Sequence, residues 1–299
     1  MAFTFEQSAK VSLPERPMTH YVVFTDLDGT LLDAGTYSWA AATPALEALR
    51  DREIPVILVS SKTRAEIEPL RCKLQHQDPF IVENGAAVFV PEGLFAFPLE
   101  RVRTKAPYDV IELGLPYYML RDVLKQIEDA VETPLHGFGD LSVDDIMHLT
   151  SLSRSEATLA KIREYDEPYL LEGPVALIEE VCRQIVMRGL KWTKGGRLFH
   201  LTGDNDKGQA TELLLRCYRK QQRLRYQTDR VESIGIGDSV NDMPLLAVVD
   251  HPILVQKPDG SFDPDIHLPQ LIRAPGIGPV GWNAAILALL EESPNENEA

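Results

Sequence analysis

Residues 21–25, YVVFT, form an apolar, β-branched and aromatic run with no polar residue alternating inside it. A strand with one wet face alternates apolar and polar side chains. A run this continuous is apolar on both faces, as in a central strand of a parallel sheet. Strand and helix signals then take turns. Residues 43–52 (TPALEALRDR) predict a helix with Thr43 as N-cap and Pro44 at the first helical position. Residues 55–60 (PVILVS) predict a second buried strand, and 62–74 (KTRAEIEPLRCKL) a helix interrupted or kinked at Pro69. Residues 79–86 (PFIVENGA) predict a third strand ending in a loop. This order is the grammar of an open, Rossmann-like α/β fold with a parallel sheet.

The grammar changes after residue 86. Residues 86–98 (AAVFVPEGLFAFP) suggest a β-hairpin around positions 91–93. Residues 116–132 carry apolar side chains at 117, 120, 124, 127 and 131, the stripe of an amphipathic helix. Ser153 and Glu156 form a capping-box pair, residues 174–190 predict another helix, and KWTKGGRLFHLTG (191–203) another hairpin. Beyond residue 200 the α/β grammar returns. Helices are expected at 206–222, 241–249 and 278–293, with strands at 230–238 and 251–256. The expected organisation is therefore a lead-in at 1–19, a core domain from 20–86 and 201–292, an inserted α+β domain at 87–200, and a polar tail at 293–299.

Two carboxylates, Asp26 and Asp28, stand at the end of the first strand, and Asp238 and Asp242 follow a later one. Ligands of open α/β sheets bind at the carboxyl ends of the strands. Like charges collected there are costly unless a cation neutralises them or one keeps a proton. An all-oxygen set with no cysteine or histidine nearby suits a hard divalent ion, most simply Mg²⁺, which commonly binds together with a substrate phosphate. Two simpler readings compete. DLDGT could be only a turn, since Asp and Gly are common there. An EF-hand fits worse, because a strand precedes the loop and its fifth position lacks Asp or Asn. Lys207 opens a helix, where the dipole disfavours a cation, so an anionic partner is expected for it.

Charge narrows the partners. Lys and Arg number 30 against 45 Asp and Glu, a net charge of −15, which argues against nucleic acid and against an anionic membrane. The three cysteines, Cys72, Cys182 and Cys217, form no C-x-x-C pair, so a reducing, cytoplasmic setting without structural zinc is expected. The first twenty residues lack the apolar core of a signal peptide, and no apolar run approaches a membrane span.

Four stretches in order, DLDGTLLD, VSSKT, DNDKGQA and GDSVNDMPLL, resemble the motifs of the haloacid dehalogenase-like (HAD) phosphatases. The insert between the second and third resembles the α+β cap of the sugar-phosphatase branch. Further stretches, SSKTRAEI, ENGAAVF, KIREYDEPYLLEG, GGRLFHLTGDNDKG and GPVGWNAAI, are similar to phosphatases of that branch acting on 2-O-mannosyl-3-phosphoglycerate. The resemblance implies a hydrolase that releases phosphate and mannosylglycerate, a compatible solute, through an aspartyl-phosphate. Its partner is a small phosphorylated sugar-glycerate. Another glycosyl-3-phosphoglycerate, another sugar phosphate, or a phosphomannomutase-like transfer stay open. It further implies Asp26 as nucleophile and Asp28 as acid/base. Ser60 is implied as a phosphoryl contact and Lys207 as the charge that orients Asp26. Mg²⁺ is expected on Asp26, Asp28 (through its carbonyl), Asp238 and Asp242. Substrate contacts are expected from Ser61, Lys62, Arg163, Gly196, Arg197 and Asn241.

Overall fold

A computed structural model describes residues 20–195, 198–228 and 230–292. The expectations for the lead-in, the polar tail, Gly196 and Arg197 lie outside these residues.

The chain begins with β1 (His20–Thr25), α1 (Thr43–Asp51), β2 (Val56–Val59), α2 (Arg64–Leu74) and β3 (Phe80–Val82). It continues through β4 (Ala87–Pro91), β5 (Val102–Lys105), β6 (Tyr108–Glu112), α3 (Tyr117–Val131) and β7 (His136–Gly137). Next come α4 (Val143–Thr150), α5 (Arg154–Ala160), β8 (Glu167–Leu170), α6 (Val175–Met187), β9 (Lys191–Gly195) and β10 (Leu198–Thr202). The last elements are α7 (Lys207–Tyr226), β11 (Val231–Gly237), α8 (Met243–Leu246), β12 (His251–Gln256), β13 (Ile272–Ile277) and α9 (Pro279–Glu292). No described helix is long and apolar enough to cross a membrane.

A nine-stranded sheet runs β13-β12-β11-β1-β2-β3-β4-β6-β5, parallel from β13 to β3 and antiparallel beyond. Strand β1 shows why its run lacks polar alternation. Val23 packs into an apolar cluster with α1 and α9, while Val22 and Phe24 pack into another with α7. Both faces are covered, as the continuous run requires.

The division expected at residue 87 does not match the sheets. Strands β4, β5 and β6 extend the core sheet, and the separate four-stranded sheet, β7-β8-β10-β9, begins only at His136. The expected hairpin at 91–93 is absent for a related reason. Strand β4 pairs with β6, from Ala87↔Glu112 to Pro91↔Tyr108. Phe95 and Phe97, read as the return strand, instead form an aromatic cluster with Tyr218 of α7. The neighbouring β5–β6 hairpin had no strong turn signal of its own.

The second sheet carries α3 and α6 over a core of Leu120, Leu124, Ile127, Val181, Ile185 and Tyr169. The hairpin expected at 191–203 is present as β9–β10. Helix α2 runs through Pro69 without ending, and its start is held by Thr63 and Glu66 in a capping box. Thr43, expected as an N-cap, is the first helical residue, because a 3₁₀ turn at Ala40–Ala42 already leads into α1.

Candidate active site

Strand order places the site. From β1 the chain moves outward through β2 and β3, then returns to the other side of β1 with β11, β12 and β13. The reversal opens a crevice at the carboxyl ends of β11, β1 and β2. Asp26, Asp238 and Ser60 are the first residues beyond those strands. Parallel pairing (Thr25↔Ile236) and the bond from Asp26 N–H to Ile236 O at 2.9 Å hold the first two side by side.

Lys207 is the first residue of α7, after the N-cap Asp206, whose carboxylate accepts from Gln209 N at 2.8 Å. Its Nζ donates to Asp26 Oδ1 at 2.7 Å and to Asp242 Oδ1 at 2.6 Å, and the side chain is only 1% exposed. Burial opposes the ammonium charge, but Asp242 and Asp26 outweigh it and raise the Lys207 pKa above its ordinary value. This is the anionic partnership that its helix position demands.

Carboxylate oxygens of Asp26, Asp238 and Asp242 lie within 4.8 Å of one another. Burial, then Asp242, push Asp26 well above the ordinary carboxylate range, with Lys207 opposing. The same two influences push Asp238 up to about 7, again against Lys207. One ammonium does not balance three carboxylates, so the cluster suits a further cation. The donors are all hard oxygens, which fits Mg²⁺. Gly29, at φ +79°, keeps the space beside the cluster open: a Cβ there would lie 2.8 Å from Asp238 Oδ2.

Asp242 is placed differently from the other two. Its Oδ1 meets Lys207, while its Oδ2 accepts from Asp238 N (3.0 Å) and Ser239 N (3.2 Å). Both oxygens are engaged, so Asp242 fixes Lys207 and the turn that presents Asp238.

Asp28 is half-buried, with Oδ2 2.9 Å from Lys62 Nζ and Oδ1 buried without a protein partner. An orphaned carboxylate oxygen of this kind suits a group that takes and gives protons. Lys62, expected to touch substrate, is paired with Asp28. Burial opposes its charge, but Asp28 and Glu66 keep it protonated. Ser60 is buried, its Oγ accepting from Lys62 N at 3.1 Å.

Arg163 and Ser61 meet away from the carboxylates. Arg163 Nη2 donates to Ser61 O (3.1 Å) and to Asp166 Oδ2 (2.7 Å), and Nε lies 3.4 Å from Glu83 Oε2. Its side chain is 4% exposed, so the guanidinium is enclosed in a buried network rather than presented to an open cleft. Asn84 Nδ2 and His200 Nδ1 also reach Asp166 Oδ2, at 3.1 and 2.8 Å. Glu83 accepts from Glu164 N and Tyr165 N, both at 2.9 Å. Burial pushes Glu83 up to about 7, with Arg163 opposing. Asp166, Glu83 and His200 were not singled out from sequence. Asp166 lies in REYDEP and Glu83 in ENGA, stretches that also read as a solvated helix end and a plain loop, and the alternation in LFHLT, which puts Phe199 and Leu201 inward and His200 opposite, was the signal for the third.

A cleft of about 360 Å³ opens between the two sheets, lined by Asn84, Lys191, Thr193, Thr202, Lys207 and Asn241 among others. Asn241 thus lines this cleft.

Carboxylates gathered at the switch point of a Rossmann-like sheet, below a separate antiparallel cap, define a haloacid dehalogenase-like hydrolase. That family, described as haloacid dehalogenase-like hydrolase, matches residues 23–103. A glucosyl-3-phosphoglycerate/mannosyl-3-phosphoglycerate phosphatase of Methanococcoides burtonii is 46% identical over 92% of this chain and 99% of its own. A mannosyl-3-phosphoglycerate phosphatase of Pyrococcus furiosus is 37% identical over 78% of this chain and 90% of its own. A solved phosphatase of the same superfamily from Bacteroides thetaiotaomicron superposes with a TM-score of 0.61 over 95% of this chain and 98% of its own, at 14% identity, a likeness of fold alone. The chain belongs to the family of these glycosyl-3-phosphoglycerate phosphatases and is a phosphoric monoester hydrolase.

Proposed function

We propose that the protein hydrolyses 2-O-mannosyl-3-phosphoglycerate to mannosylglycerate and phosphate in a Mg²⁺-dependent reaction. The observation that carries this reading is the Asp26 carboxylate, held 2.7 Å from Lys207 at the tip of β1 beside the cleft. The near full-length match to the Methanococcoides burtonii protein supports the substrate class.

In this reading Asp26 attacks phosphorus and forms an aspartyl-phosphate. Asp28 protonates the departing alkoxide, then takes a proton from the water that hydrolyses the acyl phosphate. Lys207 offsets negative charge and keeps Asp26 aimed, and Ser60 supplies a hydroxyl to a phosphoryl oxygen. Asp26, Asp238 and the Asp28 carbonyl hold the metal, with Asp242 supporting them. Mg²⁺, when bound, offsets charge on the phosphoryl oxygens. The core reads only the phosphoryl group, so the cap reads the rest and excludes water. Within it, Arg197 is our candidate for a fork onto a carboxylate, with Gly196 allowing close approach. The cytoplasm is the compartment we assign.

A second substrate has support of its own. The Methanococcoides burtonii relative is named for both the glucosyl and the mannosyl phosphoglycerate, so the glucosyl compound is the first alternative. Phosphate release from both compounds and from a panel of sugar phosphates, with and without Mg²⁺, is the test. Faster turnover of simple sugar phosphates than of either glycosyl-3-phosphoglycerate would overturn the assignment.

A further inference from the structure

We propose that His200 is a specificity-determining residue, a second contact in addition to the Arg197 candidate, reading the carboxylate of the substrate's phosphoglycerate unit through Nε2, with Asp166 as its positioning residue. The proposal rests on the glycosyl-3-phosphoglycerate reading above. Strand β10 supplies the placement. Phe199 and Leu201 point into the apolar core under α3 and α6, so His200 and Thr202 point to the opposite face. Thr202, on the same face, lines the cleft that Lys207 and Asn84 also line.

The imidazole is held from behind. Asp166 is fully buried and accepts from His200 Nδ1 (2.8 Å), Arg163 Nη2 (2.7 Å) and Asn84 Nδ2 (3.1 Å) on one oxygen. Burial opposes its charge, but His200 and Arg163 outweigh that and hold it below the ordinary carboxylate range. Asp166 accepts from Nδ1 and so orients the ring, leaving Nε2 as the nitrogen that meets a ligand; a carboxylate there would be bound by an Nε2–H. Among the described residues nothing bonds to Nε2. The site is also tied to the phosphoryl end, since the Asn84 backbone N–H donates to Ser60 O at 3.0 Å.

Charge completes the case. The substrate class carries a carboxylate besides its phosphate. The described cations around the site are already paired: Lys207 with Asp26 and Asp242, Lys62 with Asp28, Lys191 with Asp204 and Asp206, and Arg163 with Asp166. Among the described residues His200 is an imidazole beside the site that keeps a ring nitrogen for a ligand, complementing the fork proposed for Arg197.

The test uses the full-length, Mg²⁺-loaded enzyme and two inhibitors of p-nitrophenyl phosphate turnover. These are 3-phosphoglycerate and glycerol 3-phosphate, which lacks the carboxylate. In the wild type, 3-phosphoglycerate should inhibit at least about tenfold more tightly, as a charged hydrogen bond allows. In His200→Gln that ratio should fall severalfold, and in Asp166→Asn it should narrow. A purely structural role would move both inhibition constants together. A ratio retained in His200→Gln, or missing in the wild type, overturns the proposal. NMR on the wild type covers the case of a variant that fails to fold. The His200 Nε2 resonance should move with 3-phosphoglycerate and not with glycerol 3-phosphate, and the absence of that difference also overturns it. If the ratio behaves as stated but no glycosyl-3-phosphoglycerate is hydrolysed, the substrate reading fails and the carboxylate contact stands.

Discussion

Lys207 binds two carboxylates at once, and the chemistry assigned to Asp26 depends on it. Asp26→Asn keeps the shape, removes the attacking charge and relieves the burial of charge and the crowding by Asp242 that raise Asp26. Turnover should fall to background with a circular dichroism spectrum and melting temperature like those of the wild type. Residual turnover in a sample shown by mass spectrometry to be free of deamidation would contradict the nucleophile assignment. Asp28→Asn removes the proton carrier, a loss of roughly 10²–10⁴-fold on a glycosyl-3-phosphoglycerate. The first step should suffer less with p-nitrophenyl phosphate, whose leaving group needs little protonation. Equal burst-phase losses on both substrates would show that Asp28 acts mainly through the metal or through Lys62.

Helix α7 delivers Lys207 only because another loop lets it come close. Gly85 sits at φ +86°, and a Cβ there would lie 2.0 Å from the backbone oxygen of Asp206. The glycine of ENGA thus seats the first turn of α7 against the end of β3. Gly85→Ala should displace that turn, lowering both kcat and the melting temperature, while Gly93→Ala, strained only by its own φ of +76° with open space around it, should lower the melting temperature and leave kcat unchanged. Unaltered kcat in Gly85→Ala would separate ENGA from the site. The parallel strands and the carboxylates at their tips were legible because burial on both faces leaves a continuous apolar run. The amphipathic stripe of α3 and the capping box of α5 were legible for equally local reasons. Strand β13 was not, since Ile272–Ile277 is largely exposed and holds Pro275 and Gly276, which read as loop. Nor was the pairing of β4 with β6, a choice of partner made by tertiary packing.

The joint between core and cap is polar and buried, and sequence gave little hint of it. Arg163, Glu83 and Asp166 lie far apart along the chain or within a charged run that reads as solvated surface. Removing Arg163 strands two buried carboxylates, a change of about 3–5 kcal/mol for pairs of this kind, so Arg163→Met should melt markedly earlier. Glu83 adds a pH signature. Burial raises it in the folded state to about 7, so the fold binds its proton more tightly than the unfolded chain does. Stability should therefore fall as pH rises from the ordinary glutamate range toward 7, and Glu83→Gln should flatten that part of the curve. Urea titrations of both proteins at several pH values measure it, and parallel curves would sink the idea.

The most direct measurement of the central claim is reductive trapping of the covalent enzyme. Asp28→Asn protein, in which hydrolysis of an acyl phosphate is slowed, is mixed with p-nitrophenyl phosphate, whose leaving group needs little protonation, and Mg²⁺, quenched with borohydride and mapped by mass spectrometry. Reduction to homoserine at Asp26, dependent on substrate, is the predicted result. An unmodified Asp26 in samples that have released phosphate, or reduction at another carboxylate, would contradict the account.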